Sequence, residues 1–244
     1  GQPYFAMEFV AGQPLTQYCD HHQLELRERL ALFVRVCRGV QHAHQKGIIH
    51  RDLKPSNILV TAIDGRAQPK IIDFGIAAAA VRCLDQDDDE LLGTPDYMSP
   101  EQAGETAFDV DTRSDVYSLG IVLHELLVGR RPGQATGASV AGTRDSAVTA
   151  PSALLAGEAR AERERVAELR GIALRRLLRH LRGELDWVVR KATCRDRNER
   201  YDTVALLADD IERFLEQRPL AAVPPSRMYS SGRFVRRHRL GIAA

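Results

Sequence analysis

The sequence predicts a mainly helical α+β fold with a few short β-strands. Three observations carry that expectation. Apolar residues recur at helical spacing over the stretches 26–44, 185–192 and 204–215. The stretch 114–128 is apolar on nearly every face, the pattern of a central buried helix. Two short runs, Ile58-Leu59-Val60 and Lys70-Ile71-Ile72, read as strands, and between them lies Asp64-Gly65, a turn dipeptide.

Taken in order, Tyr4 to Val10 reads as a short buried strand that Gly12 and Pro14 then break. Leu26, Leu30, Phe33, Val34, Cys37, Val40, Gln41 and His44 follow one helical stripe, and Gly47 is placed to cap its C-terminal end. A loop follows, then the two strands and the buried helix Ser114 to Val128. Residues 133–183 open with Gly, Ala, Ser and Thr, read as a mobile loop, and become a charged, Arg-rich helical stretch. Leu185, Val188, Val189 and Ala192 mark another helix. Val204, Leu207, Ala208, Ile211, Phe214 and Leu215 mark the last, ended by Pro219. No internal repeat is visible.

The 244 residues suffice for one large domain or two small ones, and a formal net charge of +1 favours no partner by bulk attraction. The charge is unevenly spread, with an acidic run at Asp85 to Glu90 and a basic tail at Arg227 to Arg239. Cys19, Cys37, Cys83 and Cys194 form no C-x-x-C pair, which argues against a zinc or redox motif and for a reducing compartment. The N-terminus has no signal-peptide pattern, and no apolar run is long enough to cross a bilayer.

The chemistry concentrates in His50-Arg51-Asp52-Leu53-Lys54-Pro55-Ser56-Asn57, followed sixteen residues after Asn57 by Asp73-Phe74-Gly75. Phosphoryl transfer needs a carboxylate to position a hydroxyl, a cation near the transferred phosphate, and oxygen ligands for magnesium. Asp52 suits the first role and Lys54 the second. Asn57 and Asp73 offer the hard oxygens that magnesium prefers. Alone, each residue reads as an ordinary loop Asp, a solvated Lys or a turn-capping Asn; the combined spacing is what gives them meaning.

With these two motifs, the chain resembles the C-terminal lobe of a bacterial eukaryotic-like serine/threonine protein kinase, from Tyr4 to about Leu220. Gly93-Thr94-Pro95-Asp96-Tyr97-Met98-Ser99-Pro100-Glu101 resembles the family's substrate-docking segment, with Ser-Pro-Glu replacing Ala-Pro-Glu. The resemblance implies that Thr94 contacts Asp52 and Lys54 and favours a Ser or Thr acceptor. It also implies that Asp115 braces the catalytic loop and that Glu101 forms a buried pair with Arg200. Met7-Glu8-Phe9-Val10 resembles the hinge, with Met7 as gatekeeper and the backbone of Glu8 and Val10 bonding adenine. Leu59 would lie beneath the adenine ring and Ile72 would line its pocket. Without the family, Tyr4 to Val10 is simply a core strand. His50 is expected to pack against Phe74 rather than shuttle protons. The implied cofactors are ATP and Mg2+, and the implied partners are proteins with Ser or Thr acceptors.

The departures are also specific. The family's Gly-rich loop and strand lysine precede the hinge, and no Gly-x-Gly-x-x-Gly occurs in these residues. The chain is therefore read as a fragment of a larger kinase, inactive by itself, with the N-lobe absent. Ile76 to Gly93 contains no Ser, Thr or Tyr, so the acidic run Asp85 to Glu90 becomes a candidate stand-in for an activating phosphate opposite Arg51. The organisation that follows is a hinge segment at 1–12, a lobe at 13–220 with an insert near 133–183, and a basic juxtamembrane-like tail at 221–244. Arg227, Arg233, Arg236, Arg237 and Arg239 precede Leu240-Gly241-Ile242-Ala243-Ala244, the pattern of a membrane span starting near Leu240. That would hold the lobe in the cytoplasm at the inner membrane, with the arginines near an anionic lipid surface. Two other readings stay open. One is a catalytically inactive kinase-like lobe that binds proteins. The other is a nucleic-acid binder using the tail; lacking a recognition motif, it leads to the expectation of no nucleic-acid partner.

Overall fold

The computed structural model describes residues 8–74, 95–104, 106, 109–133 and 148–223. Met7, Gly75, Thr94, the acidic run and the basic tail lie outside the described residues, as does 134–147 of the expected loop.

The fold is mainly helical beside one small sheet. Strand β1 (Gln13–Pro14) pairs antiparallel with β2 (Ile58–Ile63), which pairs antiparallel with β3 (Arg66–Ile71). The β2–β3 hairpin closes over Asp64 (φ 50°) and Gly65 (φ 71°), the left-handed pair that a two-residue turn requires. Gly12 and Pro14 do not break a strand, as the sequence suggested; they bring one in. A Cβ on Gly12 would lie 3.1 Å from the Leu59 Cβ, so glycine lets the chain press against β2. Pro14 sits on the sheet edge, where its missing N–H costs no ladder bond. The expected buried strand over Tyr4 to Val10 is corrected where it is described. Residues 8–10 are in no strand, and Phe9 is 88% exposed because none of the described elements packs on its ring.

Helix α1 (Leu15–His21), which the sequence reading missed, buries Leu15 and Cys19 in a single short face. Helix α2 (Leu26–Gln45) starts at a capping box in which the Glu25 N–H donates to the Glu28 carboxylate at 2.8 Å. Its predicted stripe is buried at Leu26, Leu30, Phe33, Val34, Cys37 and Val40. It ends in a Schellman motif: Gly47 (φ 75°) donates to the His44 carbonyl and Ile48 to the Ala43 carbonyl.

Helix α3 (Thr112–Val128) is the expected central helix, capped by the Asp111 carboxylate, which accepts from the Arg113 N–H. Around it lie α4 (Pro151–Gly157), α5 (Arg160–Leu169), α6 (Leu174–His180), α7 (Asp186–Ala192) and α8 (Val204–Leu215). A Cβ on Gly120 of α3 would meet the Ala192 Cβ of α7 at 2.8 Å, so only glycine lets these helices approach so closely. The chain leaves α8 at Glu216, before Pro219, which is not what stops it.

Two buried arginines join the helix ends. Arg29 donates to the Cys19 and Leu169 carbonyls, and Arg170 to those of Leu126 and Leu127 at the end of α3. Burial, with Arg29 nearby, lowers the Arg170 pKa to about 10.

Candidate active site

The loop between α2 and β2 is held from below by one carboxylate. Asp115, fully buried on α3, takes the His50 N–H on Oδ2 and the Arg51 N–H on Oδ1, each at 2.9 Å. His44 Nε2 reaches the same Oδ2 at 2.7 Å. These bonds hold Arg51 at φ 68°, a left-handed conformation that costs a non-glycine residue about 1–3 kcal/mol unless its surroundings fix it. The sequence signalled Asp115; it gave His44 only a place on the apolar stripe.

His50 is buried with its ring 4.7 Å from that of Phe74, as expected. Its Nε2 lies 2.9 Å from the Ile72 carbonyl, which only accepts, so Nε2 carries the proton. Nδ1 then accepts from the Asp52 N–H at 3.3 Å. Both ring nitrogens are spent on backbone, which leaves none for proton transfer.

Three of the side chains expected to carry the chemistry, Asp52, Lys54 and Asn57, converge on this loop. Asn57 is 5% exposed, and its Nδ2 donates both to the Asp52 carbonyl at 2.8 Å and to Asp52 Oδ2 at 3.0 Å. Lys54 Nζ meets the same Oδ2 at 2.8 Å. With both contacts on one oxygen, the carboxylate plane is fixed. Asp52 Oδ1 carries no hydrogen bond among the described residues, and it is the oxygen that the expected chemistry would leave for an acceptor hydroxyl. The side-chain amide nitrogen of Asn57 is thus committed, and no hydrogen bond to its Oδ1 occurs among the described residues. The Ile72 N–H donates to the Asn57 carbonyl at 3.0 Å, which ties the residue before Asp73 (φ 61°) to the same turn. The donor set of one carboxylate and one carboxamide oxygen fits magnesium.

Of the residues expected to contact adenine, Leu59 is half-buried on the face of β2 opposite Ile58 and Val60, and it pairs in register with Lys70. Lys70 Nζ bonds the Glu8 carboxylate at 2.9 Å, tying the hinge segment to β3 and drawing the Glu8 pKa below its usual value. Val10 and Ile72 are half-buried. Met7 and Thr94 lie outside the described residues.

The docking segment is anchored separately. Arg200 and Glu101 are 0% and 1% exposed in their side chains and meet in a two-pronged pair at 2.7 and 2.8 Å. All five guanidinium donors are used, the other three acceptors being the carbonyls of Cys194, Arg113 and Arg195. Ser114 Oγ also donates to Glu101 at 2.7 Å. Against the burial penalty, the Arg200 hydrogen bonds, aided by Ser114, pull the Glu101 pKa down to about 2. Upstream, Ser118 Oγ donates to the Tyr97 carbonyl at 2.8 Å, and the Tyr97 hydroxyl donates to Glu125. Gln102, not singled out from the sequence, joins this segment to the loop through a 2.6 Å bond from Nε2 to the Arg51 carbonyl.

The family model for the protein kinase domain matches residues 1–210. Serine/threonine-protein kinase Pkn1 of Myxococcus xanthus is 41% identical over 133 residues, 54% of this chain and 19% of that protein. PknA of Mycobacterium tuberculosis is 41% identical over 136 residues, covering 55% of this chain and 30% of PknA. PrkC of Bacillus subtilis is 43% identical over 131 residues, covering 53% and 19%. The matches thus span at most 30% of these relatives' length. Among solved structures, the PknI kinase domain of Mycobacterium tuberculosis superposes with a TM-score of 0.55 at 23% identity. That match, to a double mutant of the domain, covers 86% of this chain and 64% of the solved kinase-domain chain, and it concerns the fold.

Proposed function

This chain belongs to the protein kinase domain family, and from that premise we propose that its parent protein phosphorylates serine or threonine in proteins, using ATP and magnesium. The observation that carries the reading is the single turn that brings Asp52, Lys54 and Asn57 together, hydrogen-bonded to the backbone leading into Asp73. Asp52 orients the acceptor hydroxyl through Oδ1 and takes its proton as the oxygen attacks phosphorus. Lys54 sets a positive charge beside that carboxylate and offsets charge building on the transferred group. Asn57 and Asp73 would hold magnesium. ATP, when bound, supplies the phosphoryl group, and the bond to its leaving ADP oxygen breaks as the new one forms.

Glu8, Val10, Leu59 and Ile72, with Met7, are the proposed adenine contacts, supported by the Glu8–Lys70 bond that sets the hinge beside β2 and β3. Thr94 is proposed to select Ser and Thr acceptors. Residues 1–244 alone are proposed to be inactive, because they hold no Gly-x-Gly-x-x-Gly to cover the phosphates. Among the described residues no helix is long and apolar enough to cross a membrane. The span near Leu240, with its cytoplasmic lobe and lipid contact, stands as a proposal from the basic tail.

The test is phosphate transfer from labelled ATP by the full-length protein to peptides bearing Ser, Thr or Tyr. Incorporation into Ser or Thr peptides that depends on magnesium is the expected result. Transfer to Tyr alone would overturn the specificity, and no transfer would favour the inactive, protein-binding lobe.

A further inference from the structure

The peptide joining Arg51 to Asp52 is gripped from two sides. Its N–H, that of Asp52, donates to His50 Nδ1 at 3.3 Å, and the peptide before it is fixed through the Arg51 N–H to Asp115 on α3. Its carbonyl, that of Arg51, accepts a 2.6 Å bond from Gln102 Nε2. The Gln102 amide is itself oriented without ambiguity. Oε1 accepts from both the N–H and the hydroxyl of Ser99, at 3.2 and 3.0 Å, while Nε2 faces a carbonyl that only accepts. Ser99 is fully buried, so this orientation is not traded for water.

One half of this arrangement is ordinary. Ser99-Pro100-Glu101-Gln102 reads as a capping box, with Ser at the cap, Pro next and Gln three residues on. The Gln102 and Ala103 N–H groups both return to the Ser99 carbonyl, which closes that turn. A capping box needs only an acceptor at its last position, and Glu serves as well as Gln. The bond to Arg51 needs a donor, and Glu has none. The donor half is therefore in excess of what the turn requires.

We infer that Gln102 is a positioning residue for phosphoryl transfer, transmitting the seating of the substrate-docking segment to Asp52 through the Arg51 carbonyl. The inference rests on the phosphoryl-transfer reading above. Its physical content is that the Arg51–Asp52 peptide plane has little freedom once Gln102 holds its carbonyl and His50 its N–H, with Asp115 fixing the peptide before it. The Asp52 N–H donates to His50, and the Asp52 carboxylate is aimed from the same backbone. A docking segment seated by Glu101–Arg200 places Gln102, and Gln102 places the peptide. Misplacement of a reacting group by about 1 Å costs about a hundredfold in rate, so a modest tilt would register in turnover.

The test compares Gln102→Glu and Gln102→Met in the full-length protein. Glu keeps the acceptor for Ser99 and loses the donor to Arg51, whereas Met loses both. Positioning predicts that both variants lower kcat by about 10-fold to 100-fold. KM for ATP should hold constant in both, and Tm should hold constant for Gln102→Glu. Amide exchange in the segment 50–53 should be faster in both variants. Gln102→Glu with wild-type kcat and wild-type exchange would overturn the inference and leave Gln102 as a turn cap only. So would losses confined to Gln102→Met that track its Tm. If the wild type transfers no phosphate, the functional reading fails by itself, and the exchange rates still decide whether Gln102 holds the loop.

Discussion

Two ion pairs of nearly the same length do opposite work in this molecule. Glu101 and Arg200 meet at 2.7 Å with side chains 1% and 0% exposed. Asp52 and Lys54 meet at 2.8 Å with side chains 27% and 23% exposed. Distance does not separate them; surroundings do. The buried pair saturates every guanidinium donor and adds a serine hydroxyl, so neither partner can be removed without stranding the other. The open pair leaves Asp52 Oδ1 unbonded among the described residues, and water screens its loss. One pair is a fixed anchor; the other is partly exposed and, in the proposed reaction, would exchange partners with a substrate.

The sharpest way to break this contrast is Arg200→Ala. It should cost about 3–5 kcal/mol of stability, read as a lowered denaturation midpoint, because it leaves Glu101 charged and buried. A shift no larger than that of a surface variant would erase the distinction. Acid titration probes the same pair without mutation. The folded-state pKa of Glu101 is depressed to about 2 from 4.5, so its stabilising share is complete above about pH 4.5 and is lost as pH falls toward about 2. Arg200→Ala should flatten that part of the pH–stability curve.

Next in size is Asp115→Asn, which removes a charge that takes two backbone N–H groups and His44. A cost of about 2 kcal/mol is expected, with a fall in turnover, since Arg51 loses what holds its left-handed backbone. The smallest effect belongs to Glu8→Gln. Glu8 is 77% exposed in its side chain, and the variant should leave thermal midpoint unchanged while testing whether the hinge needs its tie to Lys70 for nucleotide affinity. Calorimetric titration with ATP in the full-length protein reads the second quantity.

The same contrast explains what was legible in the sequence. Asp52, Lys54 and Asn57 fall within one turn, so their spacing already encodes their meeting, and the structure adds only which oxygen each uses. Helices α2, α3 and α8 were legible because each buries a stripe or a whole surface. Tertiary partners were less so. Arg29 and Arg170 look like surface charges in sequence, yet they close helix ends through carbonyls far away in the chain. Gln102 was not singled out from the sequence, and nothing local says that its amide nitrogen reaches Arg51. Residues 8–10 failed in the other direction, because an apolar run reads as a buried strand whether or not something covers it. Phe9 shows that here nothing described does.

The most direct test of the account is Asp52→Asn in the full-length protein, with turnover and thermal midpoint measured on the same preparation. Replacing one carboxylate oxygen by an amide at a partly exposed site changes little volume, and the Lys54 side chain is 23% exposed. The account predicts a loss of about 10²- to 10⁴-fold in phosphoryl transfer to a Ser or Thr peptide, with the midpoint unchanged. Turnover within a few-fold of wild type would contradict it, because the carboxylate that Asn57 and Lys54 together hold in place through Oδ2 would then do no chemistry through Oδ1.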